Sequence, residues 1–484
     1  MCFSSQKFSC TIFISVRKPD FMHLFSANDD HLPLSKFESM LKTNSVYFFD
    51  SSEFEEIVLH YMNVGKMSLA KKALELGLKQ HPDSVALKLA NIEVLLYEDK
   101  LDTAEKLLQD LEKLEPLNDV VYMHKATLLS KKDLHKEAIE ALNTALLYTE
   151  DEVDVRSLIG MEYLYLEEFD TARLNFAKCL EVEYDDYSSL YNVIYCFDMM
   201  EQNHEAIDYL LDYIEKDPYC EIAWHQLGRQ YYIVENHVEA LKAFDYSILI
   251  DEYFIGAYLE KAKTLEELNL FEDAIENYLI TLDLDEGTSF SYLRIGKCYE
   301  KLGNNKEALK YFNQTVKEDP LLDKGWLALT DLYIKDENYQ KALFFINKAI
   351  NIDEKNPAYW IKYADINLKL NLYEESSRGL QKCLELEKYT LEVFVALTDV
   401  LHFLGEYNDA IKILLKAQGF YEDFVEIEYR LAGLYLLTQQ EILGLPILEN
   451  ALKVNYDHHT IIKELYPSVL GLDSVKGLLS RTKD

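Results

Sequence analysis

The stretch "AWHQLGRQYY", residues Ala223 to Tyr232, sets a tryptophan, a histidine, an arginine and two tyrosines within ten positions. Such a mixture could stack on a ligand, hold an anion or move a proton. The wider inventory offers little to complete such a site. The twelve histidines are scattered, and the adjacent pair His458 and His459 would point to different faces of any helix, a poor metal site. The seven cysteines lie at 2, 10, 179, 196, 220, 298 and 383 with no CxxC spacing, so neither a zinc site nor a disulfide framework is indicated. Carboxylates are plentiful in turn-like segments such as "YEDKLD" and "YLEEFD", but acid/base work needs an enclosure that perturbs one of a pair. Glycine-rich phosphate loops, HExxH, GxSxG and calcium loops are all missing from the sequence. No metal and no cofactor are expected.

Composition narrows the function classes further. Of the 484 residues 49% are hydrophobic, enough to offset the entropy of folding. Lys and Arg number 49 against 85 Asp and Glu, a net charge of -36, which repels phosphate backbones and anionic lipid surfaces. Neither nucleic acid nor a membrane is expected as partner. No apolar run reaches the length of a membrane span. The short run around Cys10 to Val16 is followed, not preceded, by the basic pair Arg17 and Lys18, unlike a secretory signal. A cytoplasmic protein is expected.

What positions the residues of "AWHQLGRQYY" is a period. Counting from Glu221, Trp224 stands at position 4, Leu227 at 7, Gly228 at 8, Tyr231 at 11, Ala240 at 20 and Phe244 at 24. Two steps of 34 residues further on, Tyr292, Ile295, Gly296, Tyr299, Ala308 and Phe312 hold the same places, with Pro320 at position 32. From Ser51 onward, position 20 reads Ala70, Ala104, Ala138, Ala172, Ala206, Ala240, Ala274, Ala308, Ala342, Ser376 and Ala410. Trp224, Trp326 and Trp360 all fall at position 4, and Pro82, Pro116, Pro218 and Pro320 at position 32. Positions 4, 8 and 11 form one helical stripe and 20, 24 and 27 a second, with a turn between them. Small residues at 8 and 20 let the two helices approach, and proline at 32 ends the second. Cys179 and Cys383 fall at position 27 and read as small buried hydrophobes.

The W-x2-L-G-x2-Y, A-x3-F and P pattern resembles the tetratricopeptide repeat, and the arrangement is similar to long bacterial proteins built almost entirely of such repeats. The resemblance implies an all-α, right-handed α-solenoid of about twelve 34-residue helix-turn-helix repeats. They span 51–458 and start at 51, 85, 119, 153, 187, 221, 255, 289, 323, 357, 391 and 425. In the last, Tyr429, Ala432 and Gly433 fit one residue late while Gly444, Leu448 and Ala451 fit on time, which predicts a turn one residue short. Residues 1–50 are read as an extension and capping segment, with 1–21 either disordered or untranslated ahead of a start at Met22, and 459–484 as capping helices. These flanks are too short for a catalytic domain, so no enzyme is expected.

In the family, positions 2, 5, 6, 9, 12 and 13 of the first helix face a concave groove. Position 9 runs Arg229, Lys263, Lys297 and then Asp331, Asp365, Asp399, a block of cations followed by a block of anions. Arg294 at position 6 extends the basic side, and Asn192, Tyr195, His225, Gln226 and Tyr232 lie beside it. The expected function is a non-catalytic scaffold or adaptor that takes a peptide or protein segment, with an acidic stretch, into this groove. Two alternatives are an accessory subunit of an enzyme with a ligand pocket in the groove and an RNA-binding helical repeat. The same charges could instead satisfy local partners, since helical pairs such as Glu260 with Lys263 contribute only about 0.2–0.5 kcal/mol each.

Overall fold

The computed structural model describes residues 32–43, 47–284, 288–421 and 424–481. Every regular element among them is helical. From Ser51–Asn63 and Met67–Gln80 to Val425–Leu437 and Glu441–Val454, the helices come in pairs that keep the period of 34. Two compact units share the repeats: the first runs to Ile250 and the second begins at Asp251, so the division falls just after the second helix of the repeat at 221, His237–Ile250. Within each unit consecutive helices pack on one another, an all-α tetratricopeptide-type solenoid.

The small-residue slots explain the pairing. All ten position-20 alanines are fully buried, and Ser376 nearly so. At position 8 the approach is closer still: a Cβ on Gly160, Gly228 or Gly296 would stand 2.5–2.7 Å from the ring of Phe176, Phe244 or Phe312, the position-24 residue of the same repeat. Glycine is what lets the aromatic ring of the second helix lie against the backbone of the first.

The turn between the helices is fixed by one backbone conformation. Position 15 is left-handed in all twelve repeats, at Gly65, Gly303 and Gly405, and also at Asp99, Asp133, Glu167, Glu201, Glu235, Asn269, Glu337, Asn371 and Gln439. A left-handed residue just past a helix lets its amide reach back to the last carbonyls. The Glu235 and Asn236 amides, for example, donate to the carbonyls of Tyr232 and Tyr231.

A second device joins repeat to repeat. The indole Nε1 of Trp224, Trp326 and Trp360 donates to the carbonyls of Pro218, Pro320 and Glu354, at 2.8–3.0 Å, and the Tyr122 hydroxyl does the same to Pro116. Each acceptor is position 32 of the preceding repeat. Position 4 is thus a latch at the repeat boundary. Trp224 is only partly buried, its ring stacked 4.5 Å from Tyr246, so it is less of a core residue than its place in the motif suggests.

The last repeat departs from expectation. Val425–Leu437 and Glu441–Val454 begin at the same offsets as Ser289–Lys301 and Asn305–Glu318, so the turn is not shortened. Ala432 occupies the position-8 slot against Gly444, whose Cβ would stand 3.1 Å from the Ala432 carbonyl oxygen. Gly433 instead makes room for Tyr466, from the segment that follows the repeats. That segment is a 3₁₀ turn, Tyr456–His459, the helix Thr460–Leu465, a second 3₁₀ turn, Pro467–Gly471, and the helix Asp473–Arg481. At the other end Leu32–Thr43 sets Phe37 and Met40 into a cluster with Phe49, Phe54 and Tyr61. The proposed start at Met22 and residues 1–21 lie outside the described residues.

Candidate partner-binding face

In the first compact unit the candidate residues sit on two first helices, Tyr187–Met199 and Glu221–Ile233. Tyr195 is 40% exposed, as is its neighbour Tyr191, and Asn192 is partly buried between them. His225 and Gln226, expected on the groove surface, are instead buried, with 8% and 1% exposure, and His225 lies 6.0 Å from the Phe244 ring. They pack the repeat and do not present a surface. The cause is the border position of 5 and 6, beside the core stripe, where close packing against the neighbouring helices covers them. Arg229 is partly buried; its Nη1 donates to Gln226 Oε1 at 3.0 Å, and it has no carboxylate partner among the described residues. Tyr232 packs against His237. The Tyr191 phenol is raised by burial, an effect that Gln226 and Arg229 oppose. One repeat back, buried Gln230 donates to Asp198 at 2.7 Å, a bond between first helices of successive repeats.

The second compact unit carries the rest of the charge stripe, and most of it is already paired. Lys263 holds Glu260 at 2.7 Å and lies over the Phe290 ring. Arg294 reaches back to Glu266 at 2.7 Å and to the Tyr278 hydroxyl. Asp331 is bonded by Lys362, and Asp399 by Arg430, which also holds Glu426 at 3.0 Å. The geometry is regular: an anion at position 9 meets a cation at position 6 of the next repeat.

Lys297 and Asp365 break this rule. Neither has an ion pair or side-chain hydrogen bond among the described residues, and at position 6 of the repeat that follows each stands an alanine, Ala328 after Lys297 and Ala396 after Asp365. Lys297 is partly buried, with its ammonium pKa lowered first by desolvation, then by Arg294 and Lys324 nearby. Lys324, exposed at position 2 of the next repeat, has no ion pair among the described residues either. Asp365 is exposed but crowded enough for desolvation to raise its carboxyl pKa; Lys362 and Lys369 oppose the shift without closing to ion-pair distance. Of the six expected charges in this unit, four are neutralised internally and two are left open. Tyr191 and Lys324 were not singled out from sequence. Reading position 6 against position 9 one repeat earlier, where Arg294, Ala328, Lys362, Ala396 and Arg430 alternate, would have separated open charges from closed ones.

Among the described residues no group of His, Cys, Asp or Glu could hold a metal, and no helix is long and apolar enough to cross a membrane. Two shallow clefts lie away from these helices. One, of about 440 Å³, is lined by Tyr184, Tyr209 and Tyr213 from the second helices of the repeats at 153 and 187 and the segment after the first of these. The other is lined by Gln381, Tyr389 and Ile413 from the corresponding part of the repeats at 357 and 391.

Stacked helix hairpins with small-residue contacts, left-handed turns and a face of variable polar residues define a helical-repeat interaction protein. The tetratricopeptide repeat profile matches residues 290–321 and again 324–356, and with the same hairpin recurring along the chain, this is a tetratricopeptide-repeat protein. No curated protein matches it in sequence. Among solved structures the chain is similar to MamA, with 23% identity over 34% of this chain and 95% of that one, at a TM-score of 0.31. It is also similar to YrrB, described as a TPR protein with an unusual peptide-binding site, with 15% identity over 39% and 95% at 0.33. A third is the APC/C hetero-tetramer Cut9-Hcn1, with 15% identity over 82% and 98% at 0.33.

Proposed function

We propose that the chain is a protein-interaction scaffold that takes a segment of a partner protein on the face formed by its first helices. The observation that carries this reading is the division of labour within those helices: one stripe is used up in packing and cross-repeat ion pairs, while Tyr191, Tyr195, Arg229, Lys297, Lys324 and Asp365 remain accessible in whole or part. Unpaired thiols at Cys179, Cys196, Cys220, Cys298 and Cys383, all buried, suit a reducing compartment and support a cytoplasmic location.

The reading is tested by affinity purification from the native cell with the full chain and with the variant Arg229→Glu, Lys297→Glu, Asp365→Lys. A specific partner recovered with the parent and lost with the triple variant, at unchanged helicity, is the expected result. A partner retained by that variant but lost when exposed second-helix residues such as Phe344 and Leu415 are changed to serine would overturn it.

A further inference from the structure

The geometry points to a bipolar peptide as the occupant of the second compact unit: an extended segment with a carboxylate that meets Lys297 and Lys324 and a basic side chain that meets Asp365. This rests on the scaffold reading above and gives it a chemistry.

Three observations carry it. First, the cross-repeat pairing is a filter. It closes Asp331 with Lys362 and Asp399 with Arg430, and leaves Lys297 and Asp365 facing positions where an alanine supplies no charge. The open charges are opposite in sign, so a partner of uniform charge would gain at one and lose at the other. Second, both are held ready at some cost. Lys297 is pressed first by desolvation and then by Arg294 and Lys324, and Asp365 by desolvation, so an incoming counter-charge favours the ionised form of each. In a chain of net charge -36, Arg294, Lys297 and Lys324 lie close enough to act on one another, with Glu266 and Glu300 as the opposing carboxylates.

Third, the spacing is defined. Both residues stand at position 9, on the first helices Ser289–Lys301 and Pro357–Lys369, two repeats apart. Neighbouring packed helices are about 10 Å apart, so the charges are separated by about 20 Å. An extended chain rises about 3.3 Å per residue, and the acidic and basic groups of the ligand therefore stand about six residues apart. Asp331, between them and neutralised by Lys362, leaves a stretch where uncharged residues fit.

The test uses the full chain and three synthetic, end-blocked peptides with fluorescent labels, each carrying two charged pairs about six residues apart on a Gly/Ser spacer: acidic with basic, acidic with acidic, and basic with basic. Fluorescence anisotropy at low salt is expected to rank the mixed peptide first, by about tenfold. Lys297→Glu should move the preference to the all-basic peptide and Asp365→Lys to the all-acidic one. A gain of affinity by a variant cannot come from misfolding, so the switch is informative even if a variant is less stable. Equal binding of the three peptides by the parent chain, or variants that do not move the preference, would overturn the bipolar site. If that happens while the native partner is still lost with the triple variant, the scaffold reading stands and only its chemistry falls.

Discussion

At the scale of single residues, the charges on the first helices separate into structural and available ones, and stability measurements should sort them the same way. Arg430 is only 9% exposed and is held by both Asp399 and Glu426. Asp399→Asn removes one of two partners of a buried cation and is expected to cost about 1–3 kcal/mol in urea unfolding. Asp331 and Lys362 are each about a third exposed, and Asp331→Asn should cost no more than about 1 kcal/mol. Asp365→Asn should cost nothing and can stabilise. Its carboxyl pKa is raised in the folded chain, so ionisation is harder there than in the unfolded chain. The penalty is absent below the ordinary carboxylate pKa, grows as pH rises through the raised value, and is fully present at neutral pH. Urea midpoints of the parent and Asp365→Asn chains should therefore converge as pH falls through that window. A large loss of stability for Asp365→Asn at neutral pH would show that the carboxylate has a structural partner after all.

At the scale of the element, the helix hairpin rests on a close approach and a turn, and each makes a prediction. A Cβ at position 228 would stand 2.5 Å from the Phe244 ring, so Gly228→Ala forces the ring or the helix to shift and is expected to cost about 1–3 kcal/mol. Glu235 is left-handed at φ 61, where glycine fits without strain, so Glu235→Gly should stabilise by about 0.5–1 kcal/mol despite glycine's greater freedom in the unfolded chain. Both are read from chemical denaturation of the full chain. The contrast shows what the sequence discloses and what it hides. The period, the alanines at position 20 and the glycines at position 8 are chemical identities, visible as letters. The left-handed turn is a conformation that Asp, Glu, Gln and Asn all adopt here, so only its three glycines announced it. His225 and Gln226 looked available because their neighbours at positions 4, 7 and 8 define the core stripe, yet the packing around the helix covers them too. The tryptophans were legible as a motif but not as latches, because their acceptors are backbone carbonyls of the preceding repeat. Truncating Trp224 should accordingly cost about 2 kcal/mol, less than a fully buried tryptophan would.

At the scale of the whole molecule, stability is built from neighbours. Within each compact unit a hairpin buries its apolar face against its neighbours, so a local defect spreads only as far as those interfaces carry it. Hydrogen exchange of the Gly228→Ala chain should rise in the repeats at 187 and 221 and stay unchanged in those at 51 and 85. Uniform acceleration across the first compact unit would instead mark it as a single cooperative block. The open charges lie beside the cross-repeat pairs Asp331–Lys362 and Asp399–Arg430 without taking part in them. Whether the face formed by the first helices receives the partner is read by site-specific photo-cross-linking. A photoreactive phenylalanine is placed at Leu368, exposed on the first helix Pro357–Lys369, and separately at Phe344, exposed on the second helix Tyr339–Ile352. A covalent adduct with the native partner is expected from position 368, abolished by Lys297→Glu with Asp365→Lys, and none from position 344. An adduct from position 344 alone, insensitive to the charge reversals, would contradict that expectation.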